Sequence, residues 1–165
     1  MSTVSTPVNP LEVVRQFMLI GGQTIQGFNA KQAGLYLGLQ LEELAEKIEL
    51  LIEGEPTLDG KTQLWALHDT LEHFAVRFKE GNHLAAITFA DRAELLDADV
   101  DLAWVALGGA FSTSTCAPAA FAEVARANLD KYPDGQVLRD TNGKIRKPEG
   151  WQGPNLMPYV ESDEG

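Results

Sequence analysis

The chain is poor in cysteine, in basic residues and in long apolar runs, and each shortage closes a class of functions. Cys116 is the only cysteine among 165 residues, which excludes an internal disulfide framework and a zinc site built from several thiolates. One unpaired thiol fits a reducing compartment. Lys and Arg total 13 against 24 Asp and Glu, for a net charge of -11. Gripping a nucleic-acid backbone by counterion release needs a basic face, so no nucleic-acid partner is expected. No apolar stretch approaches the roughly 20 residues of a membrane span. The opening MSTVSTPVNP lacks the basic and apolar regions of a secretory signal. The expectation is an acidic, cytoplasmic protein with no membrane partner.

Strand signals are also scarce. Only Gln136 to Lys147, around Asn142-Gly143, has the pattern of a small hairpin. Helical periodicity fills the rest. Asn9-Pro10 is a cap followed by proline at the first helical position, and Gly21-Gly22 closes that segment. The spacing predicts a second helix over 30–53, ended by Gly54-Glu55-Pro56, then a turn at 58–61 and a third helix over 63–79. Residues 83–89 read either as a short helix or as a connection. The most apolar helix is expected over 91–112, and a last one begins beyond Pro118 and ends near Tyr132-Pro133-Asp134-Gly135. Residues 1–8 read as a flexible arm and 9–165 as one domain, whose C-terminal arm is 134–165. The expected class is all-α, a bundle of about five helices with an extended or hairpin-like C-terminal arm.

Two acid sets stand out against this pattern. At about 100° per residue, Glu94, Asp97 and Asp101 fall within roughly 60° of one another. Their helix is otherwise apolar nearly all round, as for a helix buried at the centre of a fold. Ionised carboxylates cannot be left buried and unpaired, so that side faces either water or a cation. On the second helix, Glu43 and Glu46 stand at i and i+3 and can converge on one point. Two helices that offer acids in this way can surround a hard divalent cation such as Mg²⁺ or Mn²⁺ with oxygens. Glu42, Glu46, Glu49 and Glu53 also line up within about 60°, so part of that run reads equally as a solvated helix face.

Glu43-x-x-Glu46 followed by Glu94-x-x-Asp97 resembles the signature of the all-α nucleoside triphosphate pyrophosphohydrolases, the MazG-like superfamily. Asp101-Leu-Ala-Trp-Val-Ala-Leu-Gly108 is similar to the "D-L-L-Y-V-V-x-G" continuation of its phosphoribosyl-ATP-pyrophosphohydrolase-like branch, with Trp104 where tyrosine is common. Glu123-Val124 with Asn128 and Lys131 resembles the "E-V-x-x-x-N-x-x-K" stretch. Asp140 to Pro154 resembles the "D-x-x-G-K-x-x-K-P-x-G-W-x-x-P" tail, and Val14-Arg15-Gln16-Phe17 the opening "V-R-x-F". The segments occur in order over most of the chain. The helix over 63–79 is extra to the pattern. Within the superfamily the chain looks most like phage-encoded members linked to 2-aminoadenine DNA, which hydrolyse dGTP and GTP.

The resemblance implies metal-dependent hydrolysis of a nucleoside triphosphate at the α-phosphorus to monophosphate and pyrophosphate, with dGMP feeding 2-aminoadenine nucleotide synthesis. Two to three Mg²⁺ or Mn²⁺ ions would be held by Glu43, Glu46, Glu94 and Asp97, with Asp101 a further ligand, a support behind the ligands, or simply an ion-pair partner. Glu46 or Glu42 would orient or deprotonate the attacking water. Asn128, Lys131, Lys144, Arg146, Lys147 and Trp151 are the candidate substrate-binding residues. Gln63, Trp65, Asn82 and Phe89 are candidates for reading a guanine base. A homo-oligomer, most simply a tetramer, is implied too. Two other readings remain open: a general house-cleaning pyrophosphohydrolase, and a non-enzymatic acidic helical protein that suits a basic partner.

Overall fold

A computed structural model describes residues 8–81, 83–139 and 145–161. About 70% of them are helical, and none lies in a strand. The expected all-α class holds. The helices are α1 (Pro10–Ile20), α2 (Ala30–Gly54), α3 (Leu58–Glu80), α4 (Phe89–Thr113) and α5 (Ala117–Leu129).

Local chemistry explains most of their starts. The Asn9 side chain accepts from the Leu11 N–H at 3.1 Å, and Pro10 opens α1. Asn29 accepts from the Gln32 N–H at 3.1 Å to start α2. Each cap satisfies a backbone donor that the first helical turn leaves over. Residues 58–61 are not the turn that the sequence suggests. Thr57 Oγ1 accepts from the Gly60 N–H at 3.1 Å, which makes them the first turn of α3. Glu55 in turn accepts from the Thr57 N–H and hydroxyl, and these bonds pull its carboxyl below the ordinary range. Residues 83–86 form turns, so the undecided segment before α4 is a connection. Pro118 sits inside the first turn of α5, which starts at Ala117 rather than beyond the proline.

The chain divides into two compact units. One, Gln26–Phe89, is essentially the α2–α3 hairpin. Its helices run antiparallel across the short connection at 55–57, and glycines let them close. A Cβ built on Gly38 would stand 2.7 Å from the Ala75 carbonyl oxygen, and one on Gly34 would stand 3.3 Å from that of Phe78. Ala45 and Ala75 are fully buried, and Ile52 nearly so.

The other unit takes the described residues of Met1–Ile25 and Ala90–Gly165. Here α1 packs on α5, with the Phe17 and Tyr132 rings 4.9 Å apart between centroids. Arg139 donates to the Gly21 carbonyl at 2.7 Å and ties the C-terminal arm to the end of α1. Arg139 and Ile145 form one antiparallel bridge, and the Arg146 N–H donates to the Leu138 carbonyl at 2.7 Å. This fits the expected hairpin at its ends, and its tip at 140–144 lies outside the described residues. The arm expected over 1–8 also lies outside them, apart from Val8.

One expectation fails. The apolar helix α4, expected at the centre of the fold, contains no buried residue, and its Trp104 is 79% exposed. Periodicity reports that a helix is apolar, not which surface covers it. Cys116, the one cysteine, is exposed as well.

Candidate active site

The expected acids divide between the two units. On α2, Ala45 faces the hairpin interior, whereas its neighbours Glu43 and Glu46 are exposed. Glu42, one of the two candidates for activating water, is only half-exposed and accepts from Lys79 Nζ at 2.8 Å. That partner belongs to α3. The Glu42 carboxylate is therefore committed to holding the hairpin together, whereas Glu46 is exposed.

On α4, Glu94, Asp97 and Asp101 are all exposed and succeed one another at three- and four-residue steps. Exposure removes the desolvation problem that the sequence raised, because water reaches these carboxylates. Hard oxygen donors one helical turn apart fit the donor chemistry of Mg²⁺ or Mn²⁺. Among the described residues, no three His, Cys, Asp or Glu side chains gather around one point.

The substrate-binding candidates behave differently, for the fold draws several of them together. Trp151 donates from Nε1 to the Ala127 carbonyl on α5 at 2.7 Å. Lys131 Nζ lies 5.6 Å and Lys147 Nζ 4.5 Å from the centroid of the same indole ring. Lys131 also donates to Asn128 Oδ1 at 2.7 Å. Asn128, Lys131, Lys147 and Trp151 thus form one cluster, built from the end of α5 and the arm. Each ammonium is attracted to the ring's negative face. The Arg146 side chain is exposed beside this cluster in sequence, and Lys144 lies outside the described residues.

The base-reading candidates are less gathered. Gln63 is occupied locally, donating to Asp59 Oδ2 at 2.8 Å. Trp65 stands edge-on to His68 at 5.3 Å, Phe89 is exposed, and Asn82 lies outside the described residues. A cavity of about 460 Å³ opens beside α4 and α5, walled by Leu107, Phe111, Phe121, Val124 and Tyr159. Such an apolar wall is wrong for a polyphosphate.

Two features escaped the sequence reading. Lys79 was simply the end of a helix there. Glu123 and Arg126 were seen only as letters in or near a motif, yet they form a bidentate pair with bonds of 2.7 and 2.9 Å. Their i and i+3 spacing, with Asp130 at i+4 from Arg126, is the signal that could have found it. This pair holds the Glu123 carboxyl down to about 2, first through Arg126 and then through the Asn155 N–H.

No known protein family, curated protein or solved structure matches the chain.

Proposed function

We propose that the protein is a divalent-metal-dependent nucleoside triphosphate pyrophosphohydrolase of the MazG-like kind. It cleaves dGTP or GTP at the α-phosphate to the monophosphate and pyrophosphate, and the dGMP serves 2-aminoadenine nucleotide synthesis. The observation that carries this reading is the cluster of Asn128, Lys131, Lys147 and Trp151. Two motif segments separated in sequence supply cations and a ring at one place, which is what a nucleotide's phosphates require.

By the resemblance, Glu43, Glu46, Glu94 and Asp97 are the proposed ligands of Mg²⁺ or Mn²⁺. Bound there, the ions would neutralise phosphoryl charge and lower the pKa of an attacking water. The chain's own groups do the rest. Lys131 and Lys147 hold phosphate oxygens, Asn128 fixes the Lys131 ammonium, and Glu46 orients the water. Asp101 stands one turn beyond Asp97 and either adds a ligand or braces one. The net charge of -11 is no obstacle, since the ions and the lysines, not the protein as a whole, meet the substrate.

The oligomeric part of the proposal, a tetramer, is supported by α4. Leu96, Val100, Trp104, Val105 and Phe111 are all exposed on it. A set of this kind invites burial by further copies of the chain.

Incubation with a panel of ribo- and deoxyribonucleoside triphosphates and Mg²⁺ or Mn²⁺, with chromatography of the products, tests the reading. Pyrophosphate and a monophosphate support it. Diphosphate with orthophosphate defeats it, and turnover of every base alike reduces it to house-cleaning. No turnover at all returns the chain to the class of acidic interaction proteins.

A further inference from the structure

In a chain of net charge -11, six of the 13 Lys and Arg residues fall between 126 and 147, against three acids there. This local excess of positive charge is organised by a fastening of the arm onto α5. Glu123 takes Arg126 Nε on one carboxylate oxygen at 2.9 Å and Nη2 on the other at 2.7 Å. The oxygen that meets Nη2 also accepts from the Asn155 N–H at 2.9 Å. Arg126 reaches the Gly153 carbonyl at 3.5 Å, and its remaining nitrogen pairs with Asp130. The fastening therefore grips the arm two and four residues beyond Trp151. On the other side of the grip, the Trp151 indole Nε1–H donates to the Ala127 carbonyl.

We infer that Glu123 and Arg126 are positioning residues, which clasp the arm so that Lys131 and Lys147, over the Trp151 ring, make a seat for the substrate's polyphosphate. The identity of that ligand rests on the function proposed above; the clasp itself rests on the geometry. Arg126 is not the anion's ligand, because its fork is already taken by two carboxylates. Lys131 donates to the Asn128 amide oxygen, which aims the ammonium. Lys147 arrives from the arm, Lys131 from just beyond α5, and both ammonium groups lie near the one ring. Two ammonium groups brought to one ring repel each other, and an anion that bridges them relieves that repulsion. Freeing the arm would separate them.

The clasp and plain electrostatics predict opposite signs, which makes the test decisive. Removing the Glu123 charge should strengthen anion binding if only charge matters, and would also release Arg126 to take part. The clasp predicts weakening. Binding of inorganic tripolyphosphate to the full-length protein is measured by calorimetry, with circular dichroism to check helix content. Glu123→Ala should weaken it at least about tenfold, the scale of a lost charge-assisted hydrogen bond. Lys147→Met, at an exposed residue, should weaken it comparably. Asn155→Pro removes the clasped N–H without touching α5 and should weaken it about threefold or more. In turnover, Glu123→Ala should raise KM by a similar factor and leave kcat within about threefold. Unchanged or tighter tripolyphosphate binding in Glu123→Ala and Asn155→Pro overturns the clasp. A loss of kcat at constant KM does so too. If no nucleotide is hydrolysed but tripolyphosphate binding follows this pattern, the clasp stands and the proposed reaction falls.

Discussion

Lys79, in the last turn of α3, donates from Nζ to Glu42 Oε1 on α2 at 2.8 Å and joins the two helices across their contact. The bond lies one turn along α2 from Gly38, where the backbones come close enough that a methyl group would meet the Ala75 carbonyl. A close crossing and a bridging cation thus occur together, and Glu42 is spent on structure. This separates it from Glu46, although both were candidates for the same chemical task.

Glu46→Gln is accordingly expected to abolish pyrophosphate release, whereas Glu42→Gln should retain most of it. Loss of the partly exposed Lys79 pair should cost about 1 kcal/mol or less in stability. Steady-state pyrophosphate release and thermal melting of both variants check this. Equal loss of turnover in the two would return Glu42 to the chemistry.

Glu94→Gln should also abolish turnover while the melting temperature stays level or rises. Neutralising one carboxylate in a row of exposed acids relieves like-charge repulsion even as it weakens a cation site. Full activity in Glu94→Gln would place the reaction elsewhere on the chain.

Gly38→Ala should destabilise the hairpin in spite of alanine's better helix propensity. The propensity gain is about 1 kcal/mol. The added carbon would stand 2.6 Å from Lys79 Cγ and 2.7 Å from the Ala75 oxygen, which is backbone and cannot swing aside. Overpacking of that kind costs about 1–3 kcal/mol. Denaturant unfolding should show a lower midpoint, and a higher one would contradict the close crossing.

The proposed tetramer should run at four times the 18.0 kDa chain mass in light scattering at micromolar concentration. Trp104→Glu, at a side chain 79% exposed in the single chain, should drive the protein to smaller species, because a charge would be buried at the contact. A native monomer would remove the oligomer from the proposal.

Acid should loosen the arm. The folded-state pKa of Glu123 is about 2 against an ordinary 4.5, so its contribution is fully present above the ordinary value. It is lost as pH falls from there through about 2. With Trp65→Phe and Trp104→Phe in place, Trp151 fluorescence reports arm docking. The parent should show a transition in that window, and Glu123→Gln should show a weaker one or none.

Guanine selectivity rests on the family resemblance alone, since metal ligands and lysines do not read a base. A pocket that pairs with guanine should favour dGTP over dATP by well over about tenfold in kcat/KM, because the wrong base leaves buried groups unsatisfied. A preference for dUTP or dCTP would end the guanine assignment.

What the sequence by itself determined is what local forces decide. Asn9, Asn29 and the helical spacing mark where α1 and α2 begin, since a cap acts on a donor two or three residues away. The turn expected at 58–61 is helix instead, because Thr57 caps the Gly60 N–H. The row of Glu94, Asp97 and Asp101 was legible for the same reason, being a property of one helix. The tertiary structure alone decided that Glu42 meets Lys79, that Trp151 docks on Ala127, and that Glu123 holds the arm. Each joins residues more than 20 positions apart, and no periodicity carries that information. It also decided that α4 stays uncovered in a single chain. An apolar pattern states the free energy to be gained by burial, and is the same whichever surface provides it.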